Sequence, residues 1–314
     1  MTLVQPVAVA GPLETEYRPR EPLDLFATLG ILRRGPGDPT FRVGEGCLWL
    51  AFALPGGAAT LSLRQRPDGS VCAASWGPGA GEALASVPEL LGSGDDWSGF
   101  DDRGVAWLRE ARRRHPGLRL ARTGRVVEQL IPLALEQKVT AVQAFRAFRA
   151  LVRRFGERAP GPHPELFVAP SPEAWRLIPS WEWHAAGAEP FQSRVAVALA
   201  ARAGSIERAA RAAGDGEDVE RMLRALPGVG PWTANEVRAR ALGDPDAVSV
   251  GDYHLASVVG FAFTGHRDVD DDGMLELLEP WRGHRQRVIR LLAAAGPRKP
   301  RRGPRMSIQD NRRR

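Results

Sequence analysis

The stretch that most constrains this chain is Leu226-Pro227-Gly228-Val229-Gly230-Pro231-Trp232-Thr233-Ala234-Asn235. A helix-like segment ending in Met222-Leu223-Arg224-Ala225 precedes it, and another runs over 231–242. Gly228 and Gly230 permit positive φ and leave neighbouring N–H groups unshielded by a Cβ. Pro231 suits the first helical position, where its missing N–H costs nothing. These residue types predict a tight hairpin whose amides, with the following helix start, can hold a phosphate oxygen. Leu226, Gly228, Val229, Gly230 and Thr233 are the candidate contacts. Such contacts fix register on a nucleic-acid backbone without reading its sequence. The plainer alternative is a glycine-rich turn between two packed helices.

Downstream lies Val248-Ser249-Val250-Gly251-Asp252-Tyr253-His254-Leu255. A helix over 231–242 is about 18 Å long. The Gly243-Asp244-Pro245 turn reverses the chain, and 246–251 can run about 20 Å back. Asp252 can therefore return to the hairpin end. Asp is also a favoured N-cap, so a purely capping role for a helix over 253–263 stays open, and the two roles are compatible.

Elsewhere, 12–115 reads as mixed structure. A short helix is expected at 22–33, strands at 41–54, 58–66 and 70–76 with a turn at Arg66-Pro67-Asp68-Gly69, and a helix at 79–91. From about 116 the chain reads as helices: 126–155 with a kink at Pro132 or a first turn that is not helical, 172–178, 191–203, 206–213, 218–225, 231–242, 253–263, 274–279 and 285–295. The expected fold is α+β: an N-terminal antiparallel sheet domain with helices (12–115), an all-α helix–hairpin–helix domain (116–295) and a basic tail (296–314).

The net charge is +6, but the tail alone carries eight basic residues and one acid, leaving −1 on residues 1–295. Such a Pro-, Gly- and Arg-rich end reads as disordered, suited either to a polyanion or simply to solubility. Lysine occurs only at 138 and 299, against 41 arginines. Cys47 and Cys72 form no CxxC pair and fit a disulfide framework, a zinc site or a four-cysteine cluster poorly. No run approaches the roughly 18 apolar residues of a membrane span, and the first eleven residues lack the basic start of a secretion signal. A reduced, cytoplasmic setting is expected.

The hairpin and Asp252 together resemble the helix–hairpin–helix DNA glycosylase superfamily, and more narrowly the bacterial 3-methyladenine-DNA glycosylase II-like family. Residues 218–263 carry the strongest match. Leu135-Glu136-Gln137-Lys138-Val139-Thr140 is similar to the family's Gln-containing helix start, Pro280-Trp281-Arg282 to its closing element, and 22–30 with the following strands to its sheet domain. The resemblance implies that hairpin amides, with Gln137 and Lys138, contact double-stranded DNA, that a damaged nucleotide is flipped out, and that Asp252 promotes loss of its base. It implies a monomer near the nucleoid, with no cofactor and no catalytic metal. Relatives that also cut the strand carry a lysine where this chain has Trp232. With no amine there to form a Schiff base, lyase activity is not expected. Trp232 would stack on the flipped base, or else pin two helices as a core residue.

Three positions depart from the family. Glu236, one turn beyond Trp232, and Arg290 fall where aromatic pocket residues are expected, and Lys138 where an apolar wedge would enter the duplex. The pocket is then more polar than the family's, with Glu236 a second acid or base or a surface residue. A non-catalytic DNA-binding scaffold and a glycosylase for another lesion are the competing readings, with a bifunctional enzyme using Lys138 as a third. Asp268, Asp270, Asp272, Gly273, Leu275 and Glu279 match EF-hand spacing, but no second copy exists and a helix start explains the acids. The six histidines show no metal-ligand spacing, and Trp175, Trp181 and Trp183 read as core.

Overall fold

The computed structural model describes residues 11–214 and 216–298. Five antiparallel strands, β1 (Leu13–Tyr17), β2 (Phe41–Gly44), β3 (Cys47–Leu54), β4 (Gly57–Gln65) and β5 (Val71–Trp76), form a sheet in the order β1-β5-β4-β3-β2. The expected strand over 41–54 is two strands. Glu45 and Gly46 both take positive φ, giving the two-residue turn that matches strand twist. The Arg66–Gly69 turn closes as expected, with the Asp68 carboxylate accepting from the Ser70 N–H at 2.9 Å. β1 escapes a sequence reading because Glu14 and Glu16 make it polar; charge on an exposed edge strand discourages further pairing.

Helices α1 (Leu25–Leu29), α2 (Ala80–Ala85) and α3 (Val87–Leu90) cover the sheet, burying Leu25, Leu29 and Leu90 against Leu48, Leu61 and Leu63. α4 (Ala106–Arg114), not anticipated, packs elsewhere. Its Leu108 and Ala111 join Trp97, Leu118, Val259, Met274, Leu278, Trp281 and Leu291 in one cluster. That core runs across position 115, where the sequence suggests a domain boundary.

The helical body centres on α5 (Val126–Glu136), apolar on nearly all sides, with nine of its eleven residues buried. The expected helix over 126–155 breaks at 137–140, and α6 (Ala141–Phe155) begins afresh with a capping box of Thr140 and Gln143. Pro132 sits inside α5, and the break falls beyond it, at Lys138, whose φ is 57°. After a two-strand ribbon, β6 (Glu157–Arg158) and β7 (Phe167–Val168), come α7 (Pro172–Leu177), α8 (Ser180–Ala186), α9 (Pro190–Ala200), α10 (Ala203–Ala212), α11 (Gly216–Arg224), α12 (Pro231–Val237), α13 (Leu255–Thr264), α14 (Asp271–Leu278) and α15 (Arg285–Ala295). α12 runs on into a wider π-type turn, 238–242, which Gly243 ends in the left-handed region. Trp175 and Trp183 are core residues, whereas Trp181 is exposed. The tail beyond Arg298 lies outside the described residues.

Candidate active site

The hairpin joins α11 to α12. Gly228 has φ +83°, and a Cβ there would meet Val195 Cγ2 at 2.4 Å, so the position requires glycine twice over. Val229 is buried in the helical core and pins the turn. Gly230 is extended, with nothing within 4 Å of an added Cβ. No side chain caps α12, and among the described residues the N–H groups of Gly228 and Gly230 carry no hydrogen bond. Arg238 locks the unit from behind, donating to Asp244 at 2.9 Å and to Asn235 at 2.7 Å while pairing with Glu220 of α11.

Gln137 is bound to the hairpin directly. Its Nε2 donates to the Gly228 carbonyl at 2.9 Å and to Thr233 Oγ1 at 3.0 Å. Gln192 on α9 holds the same loop by donating to the carbonyls of Leu135 and Gln137, at 2.7 and 2.9 Å. Thr233 is buried, so Gln137 and Thr233 clamp the hairpin to the 137–140 loop, leaving exposed Lys138 at the tip with its ammonium 5.7 Å from the Phe191 ring centre.

Asp252 returns to this end of the fold. A Cβ on the preceding Gly251 would lie 3.8 Å from Trp232 Cβ, so the loop passes against the first turn of α12. Gly251 has φ +90°, and its N–H donates to Asp271 at 2.9 Å. Asp252 Oδ1 accepts from the His254 and Leu255 N–H groups, each at 2.8 Å, capping α13. Its Oδ2 takes no hydrogen bond from the described residues. The cap thus fixes the carboxylate while leaving one oxygen available.

Around half-buried Trp232 the chain places charge. Glu236 accepts from Ser249 Oγ and pairs with Arg240, whose Nε donates to the Ile31 carbonyl at 3.2 Å. Arg290 donates to the Ala27 carbonyl and makes no ion pair among the described residues. Burial, reinforced by Arg240, lowers its pKa to about 10. Glu136 lies 3.8 Å from Arg34, and burial raises its carboxyl above the usual range although Arg34 opposes this. Arg240 and Arg290 thereby join α12 and α15 to the carbonyls around α1. Glu236, Arg290, Trp232 and Asp252 were legible as candidates; Ser249, Arg240, Gln192 and Asp271 were not. Only Gln192 carried a sequence signal, in its capping box with Glu189.

The EF-hand-like stretch has another role. Asp270 caps α14 by accepting from the Gly273 N–H at 2.9 Å, and 271–278 are helical, so no loop wraps a cation. Among the described residues no cluster of His, Cys, Asp and Glu has metal-holding geometry, and no helix is long and apolar enough to cross a membrane. A cleft of about 540 Å³ lies elsewhere, bordered by Asp96, His284 and Gly243 beyond the C-terminal end of α12.

No protein-family model matches the chain. Over 148 residues, 47% of its length, it is 32% identical to the probable bifunctional transcriptional activator/DNA repair enzyme AlkA of Mycobacterium tuberculosis. The match covers 29% of that relative, so the chain spans less than a third of it. The 3-methyladenine DNA-glycosylase from Archaeoglobus fulgidus has a similar structure, with a TM-score of 0.70 at 17% identity over 88% of this chain and 97% of that one. The Clostridium acetobutylicum 8-oxoguanine glycosylase/lyase, bound to double-stranded DNA, gives 0.68 at 12% identity over 91% and 97%. At these identities the likeness is one of fold. The chain thus shares the α+β fold of these DNA glycosylases and, over about half of its length, is similar in sequence to AlkA.

Proposed function

We propose that this protein is a monofunctional DNA glycosylase that hydrolyses the N-glycosidic bond of a damaged purine in duplex DNA, as part of base excision repair in the cytoplasm. The observation that carries the reading is the passage of Gly251 against Trp232 at the hairpin, directly before Asp252 with one carboxylate oxygen unengaged. The free amides of Gly228 and Gly230 would hold the DNA backbone, with Leu226 and Val229 shaping the turn and Lys138 reaching toward the gap left by the flipped nucleotide. The base departs with the electrons of the C1′–N bond. Asp252 stabilises the cationic sugar, and water adds at C1′ and loses its proton. Trp232 stacks on the base.

An alkylated purine is the leading substrate class. It is already cationic and leaves as a neutral base without strong acid assistance, and the local similarity to AlkA supports it. A neutral, carbonyl-bearing purine is the second reading, favoured by one observation. The unpaired Arg290 near Arg240 would repel a cationic ring and offers donors to an acceptor edge.

Base release from duplexes carrying 3-methyladenine, 7-methylguanine or 8-oxoguanine, each with and without borohydride, tests both. Release of methylated purines without a trapped covalent complex supports the leading reading, and release of 8-oxoguanine alone the second. A trapped complex would show an amine nucleophile and overturn the monofunctional assignment. Binding without release of any base would leave a non-catalytic scaffold.

A further inference from the structure

We propose that Glu236 is a positioning residue, tying the loop that carries Asp252 to the hairpin helix through Ser249; the inference rests on the reading of Asp252 as the catalytic carboxylate. Glu236 stands one helical turn beyond Trp232, on the element that also forms the hairpin. Both its oxygens are engaged, Oε1 by the Ser249 hydroxyl and Oε2 by Arg240. A carboxylate so held is a strut rather than a free general base. Ser249 is buried, and its carbonyl accepts the Asp252 N–H at 3.1 Å. A continuous chain of contacts therefore runs from the Ile31 carbonyl through Arg240, Glu236 and Ser249 to the Asp252 backbone.

The loop needs such a tie. Between Ser249 and Asp252 lie only Val250 and exposed Gly251 in the left-handed region, and the other anchor, Asp271 on the Gly251 N–H, approaches from the α14 side. The Glu236–Ser249 bond joins the residue that accepts the Asp252 N–H to the hairpin helix that carries Trp232. Misplacement of a reacting group by about 1 Å can cost on the order of 100-fold in rate.

The test uses the full chain and duplex DNA methylated with dimethyl sulfate. Ser249→Ala and Glu236→Ala should each slow single-turnover base release roughly 10- to 100-fold, with little change in affinity for a duplex bearing a tetrahydrofuran abasic site. The double variant should be no slower than the worse single one. Ser249→Thr should restore most of the rate, as should Glu236→Gln, whose amide oxygen still accepts from Ser249. In Ser249→Ala the amides of Asp252, His254 and Leu255 should exchange hydrogen faster. Unchanged rate and exchange in Ser249→Ala would overturn the strut, as would additive losses with unchanged exchange. Should the wild type release no base, the catalytic reading fails separately, and exchange decides: faster amides support the strut, unchanged amides refute it.

Discussion

Asp252 combines a cap and a free carboxylate oxygen, and substitution can separate the two. Asparagine also caps well, whereas alanine forfeits about 1 kcal/mol at such a position. Asp252→Asn should therefore melt close to the wild type, and Asp252→Ala a few degrees lower, when followed by circular dichroism. Equal melting of all three would mean that the two N–H contacts to Oδ1 contribute little. At this scale the sequence was informative where candidate residues are consecutive, as in the hairpin string and the Gly251-Asp252 pair. It was silent on Ser249, because a serine thirteen residues from Glu236 becomes its partner only once the π-type turn and Gly243 have reversed the chain. Gln137 was visible as a candidate, but its use as a clamp on Gly228 and Thr233 depends on the break after α5.

Among elements, the hairpin makes a contrast between its glycines. Gly228→Ala forces a Cβ onto Val195 at positive φ and should cost roughly 1–3 kcal/mol of stability in urea unfolding. Gly230→Ala meets open space and should melt normally. Its new methyl group would stand beside the free amides and weaken duplex binding in a gel-shift titration. Unchanged binding would remove the hairpin from the DNA interface. A second element-level prediction concerns Glu207 of α10, which accepts from the Val127 N–H at 2.8 Å near the start of α5. Burial raises its carboxyl above the ordinary value. Its contribution is then fully present below the unfolded pKa and is lost as pH rises through the folded one. Glu207→Gln should flatten the fall in urea midpoint as pH rises above the ordinary glutamate range, and an unchanged slope would deny that burial. The divided helix over 126–155 shows how far periodicity reaches. Apolar spacing continues across α5 and α6, and only Thr140 and Gln143, a capping pair, mark where a new helix starts.

Across the whole molecule, the sheet is not an appendage. The Ala27 carbonyl of α1 receives Arg290 and the Ile31 carbonyl just beyond it receives Arg240, and the cluster around Trp97 and Leu108 is shared with α13, α14 and α15. The β4–β5 hairpin was legible because its alternation and turn residues are local, whereas the β2–β3 turn and the polar edge strand β1 were not. The shared core was not, since the burial of α4 against α15 joins residues about 180 apart in sequence. Charge is organised at the same scale, with a nearly neutral body and the +7 carried from 296 onward. Removing residues 297–314 should weaken binding to undamaged duplex and flatten its dependence on salt; an unchanged slope would mean the tail does not touch DNA. The central claim is that Asp252 drives base loss. It is tested most directly by chromatography of bases freed from dimethyl sulfate-treated duplex DNA, comparing the wild type with Asp252→Asn. The account predicts methylated purines from the wild type and a loss of rate of roughly 100-fold or more in the variant. Equal release by both proteins would contradict it.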